Sequence, residues 1–208
     1  MIVTKTYIEP RFCEKEILRY AGCRNEDKDV LSLIHSCVDE VRQKLSYKVC
    51  YGEFDVGFLN IQSKMFSKNL ENCSSVIIFA ATIGVEIDRL ILKYSRISPS
   101  RALILQSIGT ERIEALCDEF CKEIAKEKNM SLTNRFSPGY GDLSLDIQKD
   151  IFNFLDCSKR IGLTLNDSLI MSPSKSVTAF VGVSHSKETK KNKCSLCDRK
   201  DCEYRGIV

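Results

Sequence analysis

The sequence predicts an α+β fold, a mixed or antiparallel twisted sheet with flanking helices, and three observations predict it. Stretches with the helical apolar period interleave with short β-branched and aromatic runs, without the strict strand-helix alternation of a parallel sheet. Two strand-like runs, 168–171 and 176–184, follow one another closely, which favours antiparallel pairing. The 208 residues are 43% hydrophobic and 28% charged, an ordinary globular balance. A chain of this length buries roughly 70% of its unfolded surface, enough for one core with a small appendage. The expected organisation is one main domain, 1–185, and a basic Cys-rich tail, 186–208.

Taken in order, EKEILRYA (14–21) ending at Gly22 predicts a short helix. Asn25 or Asp27 can cap a longer one through about Leu45, where Val30, Leu33, Ile34, Cys37, Val38, Val41 and Leu45 repeat at three and four. His35 falls beside that stripe and reads as a satisfied boundary residue. YKVCYGEFDVGFL (47–59) alternates apolar and polar, predicting one or two strands. SVIIFAA (75–81) is too short an apolar run for a helix and predicts a buried strand, after which Thr82-Ile83-Gly84 turns into a helix through Tyr94. Pro99 to Lys128 is the longest helical pattern, with Pro99 in the first turn, a Lys-rich last turn, and Gly109 as an interruption point. A polar turn leads to the 135–141 loop, a helix over about 144–155, and the two strands 168–171 and 176–184 on either side of Pro173.

No apolar run is long enough to span a bilayer, and Glu9 and Arg11 break the start before a signal-type apolar region forms, so the expected location is cytoplasmic, with no membrane partner. Eleven cysteines without an export signal read as thiols in a reducing compartment; Cys13, Cys23, Cys37, Cys50, Cys73, Cys117, Cys121 and Cys157 are expected as small buried hydrophobes. Net charge is +3 and resides entirely in residues 187–208, where seven Lys or Arg face four acids. The rest is balanced, 24 against 24, which argues against a nucleic-acid partner.

Three places can carry chemistry. In Arg135-Phe-Ser-Pro-Gly-Tyr-Gly141, Pro138 extends Ser137, and Gly139 and Gly141 permit close ligand approach. There Arg135 can grip a carboxylate with its two-pronged guanidinium while unshielded N–H groups near Gly139 approach the same ligand; the alternative is a structural Pro-Gly turn. Glu114 stands at the edge of the stripe formed by Ile113, Leu116, Cys117, Phe120 and Ile124, where a carboxylate faces either a cleft or solvent. In the tail, Cys194, Cys197 and Cys202 place up to three thiolates on one metal; zinc, an iron–sulfur cluster, redox-active thiols and an unliganded tail all stay open.

RFSPGYGDLSLDIQKDIF resembles the signature of the reactivation domain of cobalamin-dependent methionine synthase, an Arg-x-x-x-Gly-Tyr loop followed by a helix. GTERIEALCDEF resembles that domain's Glu-bearing helix, and LTLNDSLIMSPSKSVTAFVGVSH its closing Met-x-Pro-x-x-Ser strand pair. The three motifs occur in the family's order and cover residues 75–185 best.

The resemblance implies S-adenosylmethionine (AdoMet) binding: Arg135 on the ligand carboxylate, Glu114 at its cationic end, backbone of Ser137 and Gly139 against it, and Tyr140 near the corrin as a positioning residue. It implies methylation of cobalamin after one-electron reduction of cobalt(II). The family's cobalamin-binding Asp-x-His-x-x-Gly loop is not present, since His35 and His185 lie in other contexts. Homocysteine and folate domains do not fit in the length either, so the chain is not a complete methionine synthase. The implied partners are a separate cobalamin-binding methionine synthase or related corrinoid protein and a reductant protein. A metal-binding or electron-transfer adaptor serving a corrinoid methyltransferase is the alternative.

Overall fold

The structure, a computed structural model, describes residues 1–23, 27–58 and 61–184. Cys194, Cys197 and Cys202 lie outside the described residues, as does the tail. The described elements are β1 (Ile2–Thr6), α1 (Glu14–Tyr20), α2 (Lys28–Val41), β2 (Lys48–Asp55), α3 (Lys64–Asn69), β3 (Ser75–Thr82), α4 (Glu86–Ile97), α5 (Pro99–Lys128), β4 (Ser131–Leu132), α6 (Ile147–Leu155), α7 (Cys157–Ile161), β5 (Thr164–Leu165), β6 (Met171–Ser172) and β7 (Ser176–Ser184). Five strands form an antiparallel sheet in the order β1-β2-β3-β7-β4, and β5 and β6 form a separate two-stranded ribbon. This is the predicted α+β class, with the sheet antiparallel.

β3 is central, and its alternation explains why a run with almost no polar residue is a strand. Ile77, Phe79 and Ala81 enter one core with Ile34, Cys37, Leu105, Leu116 and Phe120 from α2 and α5. Val76, Ile78 and Ala80 enter the other with Phe66, Phe136, Ile151 and Leu155. Both faces are covered, so both sets of side chains leave water, and each large side chain so buried contributes about 1.5–3 kcal/mol.

α5 spans the whole predicted range and is not interrupted at Gly109. A Cβ there would stand 3.0 Å from Lys175 Cε and 3.1 Å from Ile87 Cγ1, so the glycine serves close packing of α5 rather than a break. Asn129 ends the helix in the left-handed conformation. Asp27 supplies the α2 cap by accepting from the Asp29 N–H at 2.8 Å, while Asn25 lies outside the described residues.

Several expectations are corrected. α2 stops at Val41 rather than Leu45, because Gln43 takes a positive φ of 64° and turns the chain while Leu45 still packs on the core. Residues 168–171 are mostly a turn: Asn166 Oδ1 accepts from the Ile170 N–H at 2.9 Å, and Leu169 has φ 61°. The last two strands do not pair with each other; β6 pairs with β5, while β7 pairs with β3 and β4. Cys13 is exposed, whereas Cys37, Cys50, Cys117 and Cys157 are buried as expected. His35 is exposed, its Nε2 2.6 Å from Glu14. Among the described residues no helix is long and apolar enough to cross a membrane.

Candidate ligand site

The segment after β4 runs along the open edge of β7. Thr133 N donates to Gly182 O at 2.9 Å, and Phe136 and Phe180 exchange two backbone bonds of 2.9 Å. Side chains alternate along such an extended run, so Phe136 enters the second core and Arg135 turns the other way, over α5. Arg135 Nη2 donates to Glu114 Oε2 and Nη1 to Asp118 Oδ1, each at 2.5 Å.

Glu114 and Asp118 are four residues apart on α5 and share one face. Two like charges there repel, and one guanidinium between them relieves the repulsion. The Arg135 side chain is only 15% exposed. Burial disfavours its charge, yet the Glu114 and Asp118 carboxylates outweigh that and hold it more firmly protonated than an ordinary arginine. Burial also pushes the Cys117 thiol up, so it stays neutral beneath the cluster.

The same face of α5 continues into a cleft of about 340 Å³ between α5 and the 130–135 segment, lined by Asp118, Cys121, Lys122, Met130, Thr133 and Arg135. Its volume lies at the lower end of small-molecule sites.

Beyond Arg135 the chain makes a tight loop. Tyr140 N–H donates to Ser137 O at 3.1 Å, Gly139 N–H to Leu143 O at 2.9 Å, and Leu143 N–H to Tyr140 O at 3.0 Å. The expected unshielded N–H groups near Gly139 are thereby corrected: the Gly139 and Tyr140 amides close the loop on itself. Gly139, at φ 88°, is exposed, and Tyr140 is 60% exposed with its ring edge-on to Phe136 at 6.4 Å. The structure therefore brings Arg135 and Glu114 together and places Ser137, Gly139 and Tyr140 on the adjoining loop. Among the described residues, no group of three or more His, Cys, Asp or Glu is placed to hold a metal ion.

Three polar residues escaped the sequence reading. Asp118 could have been found by its i+4 spacing from Glu114. Arg112 falls on the buried stripe, four residues before Leu116; it is fully buried with Glu111, which accepts from its Nε at 2.5 Å. Arg112 also donates to the carbonyls of Pro10 and Arg11 and stacks on Phe12, 3.9 Å from the ring centroid, pinning the start of the chain to α5. Asp142 follows the Gly-Tyr-Gly run and accepts from Ser63 Oγ and from two backbone N–H groups.

Residues 65–204, more than half of the 208, match the family described as vitamin B12 dependent methionine synthase, activation domain. The chain belongs to this family. No curated protein sequence gives a significant match. Among solved structures, one described as the crystal structure of the MetH reactivation domain bound to AdoHcy superposes with a TM-score of 0.64 at 14% identity. That match covers 92% of this chain and 80% of the other, a larger share of the chain than the 65–204 matched by the family.

Proposed function

We propose that this activation-domain chain binds AdoMet at Arg135 and supports reductive methylation of a corrinoid carried by a separate protein. One observation carries the reading: the loop with the family's Arg-x-x-x-Gly-Tyr pattern presents a largely shielded guanidinium between two carboxylates beside a cleft. AdoMet has a carboxylate, an ammonium and a sulfonium, so a site for it needs one fixed cation and at least one fixed anion. The donor set fits.

In this reading Arg135 takes the ligand carboxylate bidentately, and Glu114, released from Arg135, faces the cationic end. Ser137 and Gly139 let the ligand approach the backbone, with Gly139 contributing its missing Cβ rather than its N–H. Tyr140, exposed beside them, is the positioning residue toward the corrin. When bound, AdoMet would supply its methyl group to cobalt(I), formed from cobalt(II) by one electron from an external reductant, and would leave as S-adenosylhomocysteine; the chain contributes orientation and exclusion of water. The proposed division of labour is a ligand-binding domain over 1–185 and a tail over 186–208, where Cys194, Cys197 and Cys202 are candidate metal or cluster ligands for zinc or iron–sulfur.

Calorimetric titration with AdoMet tests the site. Arg135→Ala is expected to weaken binding by about 1.5–3 kcal/mol, the scale of a hydrogen bond to a charged group, with partial rescue in Arg135→Lys. Affinity equal to wild type in Arg135→Ala removes Arg135 from the site. The role in trans is tested by mixing the chain with labelled AdoMet, a corrinoid methyltransferase and a low-potential reductant. Label reaching cobalt equally fast without the chain overturns it and favours the adaptor reading.

A further inference from the structure

The loop that carries Gly139 and Tyr140 is anchored at its ends by Phe136 and Leu143, both in the second core. Between those anchors its outer turn is exposed, at Gly139, Tyr140, Gly141 and Asp142. Backbone bonds close this turn on itself, and a single side chain hydrogen-bonds it to α3. The Asp142 carboxylate accepts from Lys64 N at 2.7 Å, from Met65 N at 3.3 Å and from Ser63 Oγ. Ser63 Oγ in turn caps α3 by accepting from Phe66 N at 3.0 Å. Gly141, at φ 55°, lies so close to Met65 that a Cβ there would clash with its Sδ, so the turn sits directly on the first residues of α3.

We propose that Asp142 is a positioning residue: it clamps the Gly139–Tyr140 turn onto α3 and thereby sets where the loop stands relative to Arg135. The proposal rests on the AdoMet reading of this site. Two of the three donors are backbone N–H groups, whose directions are set by the α3 backbone, so the carboxylate has one position in which all three are satisfied. Donation from Ser63, Lys64 and Met65 holds the Asp142 carboxyl below the ordinary aspartate range, so the clamp is charged near neutral pH. Asparagine cannot replace it, because its amide presents a donor to at least one of these N–H groups.

The test compares wild type, Asp142→Ala and Asp142→Asn in the full chain by amide hydrogen exchange and AdoMet titration. In both variants exchange at 137–143 is expected to accelerate about tenfold or more while β3 and β7 keep their protection, the signature of local rather than global opening. AdoMet affinity is expected to fall about tenfold, the scale of losing an outer partner that orients a ligand-holding group. Unchanged exchange at 137–143, or equal acceleration throughout the sheet, overturns the clamp. Wild-type protein that shows no heat of binding overturns the AdoMet reading instead, and the exchange comparison still decides the clamp. Should Asp142→Ala fail to fold, Ser63→Ala carries the same comparison.

Discussion

Asp118→Asn isolates how Arg135 changes partners. Asp118 occupies Nη1 and Glu114 occupies Nη2. A ligand carboxylate that grips both nitrogens competes with Asp118 for the Nη1 donors. At 59% side-chain exposure Asp118 is well hydrated, so its pair with Arg135 is worth about 0.2–1 kcal/mol after screening, far below the bare Coulomb value. Freeing Nη1 of that competitor is expected to tighten AdoMet by up to about fivefold. Fold stability should move by less than about 0.5 kcal/mol, since the lost pair is offset by relief of the Glu114–Asp118 repulsion at i,i+4. The assay is paired calorimetry and chemical denaturation at low and high salt, and added salt should shrink the difference between variant and wild type. Glu114→Gln should act in the opposite sense and weaken binding, because Glu114 is assigned to the ligand's cationic end. A tenfold or larger loss of affinity in Asp118→Asn would refute the reasoning and place Asp118 against the ligand's positive groups.

Two further predictions concern the frame. Arg112→Ala, which leaves Glu111 buried without its cation, is expected to destabilise the fold by about 3–5 kcal/mol in denaturant unfolding, and a loss under 1 kcal/mol would show that water reaches the pair. Glu123, whose carboxyl is held low by donation from Tyr7 and Lys5, is protonated more easily in the unfolded chain. It therefore contributes stability that is present above the ordinary glutamate range and lost as pH falls through the folded value. Glu123→Gln should flatten part of the acid loss of stability below about pH 5, and an acid profile identical to wild type would sink this assignment.

Much of the scaffold was legible in local sequence. α5 carried its own period and caps, and β3 and β7 were marked by apolar runs too short for helices. β1 and β4 were not legible: five and two residues long, they gain their strand geometry from β2 and β7, and such pairing leaves no periodic trace. α3 and α7, six and five residues, are likewise shorter than the windows in which a helical period shows.

The sequence by itself determined which side chains could serve the site, because Arg-x-x-x-Gly-Tyr and the glutamate at the stripe's edge are local patterns of residue type and spacing. Only the tertiary structure decided what those groups touch. Arg135 meets carboxylates 21 and 17 residues away, and Asp142 reaches Ser63 across 79 residues. It also decided that the Gly139 N–H is spent within its loop. The physical reason is that periodicity records which face of an element leaves water, whereas a hydrogen bond between elements depends on how their backbones are placed by the shared core. Arg135 lies over α5 because Phe136 is drawn into the opposite core and adjacent residues on an extended edge must point apart.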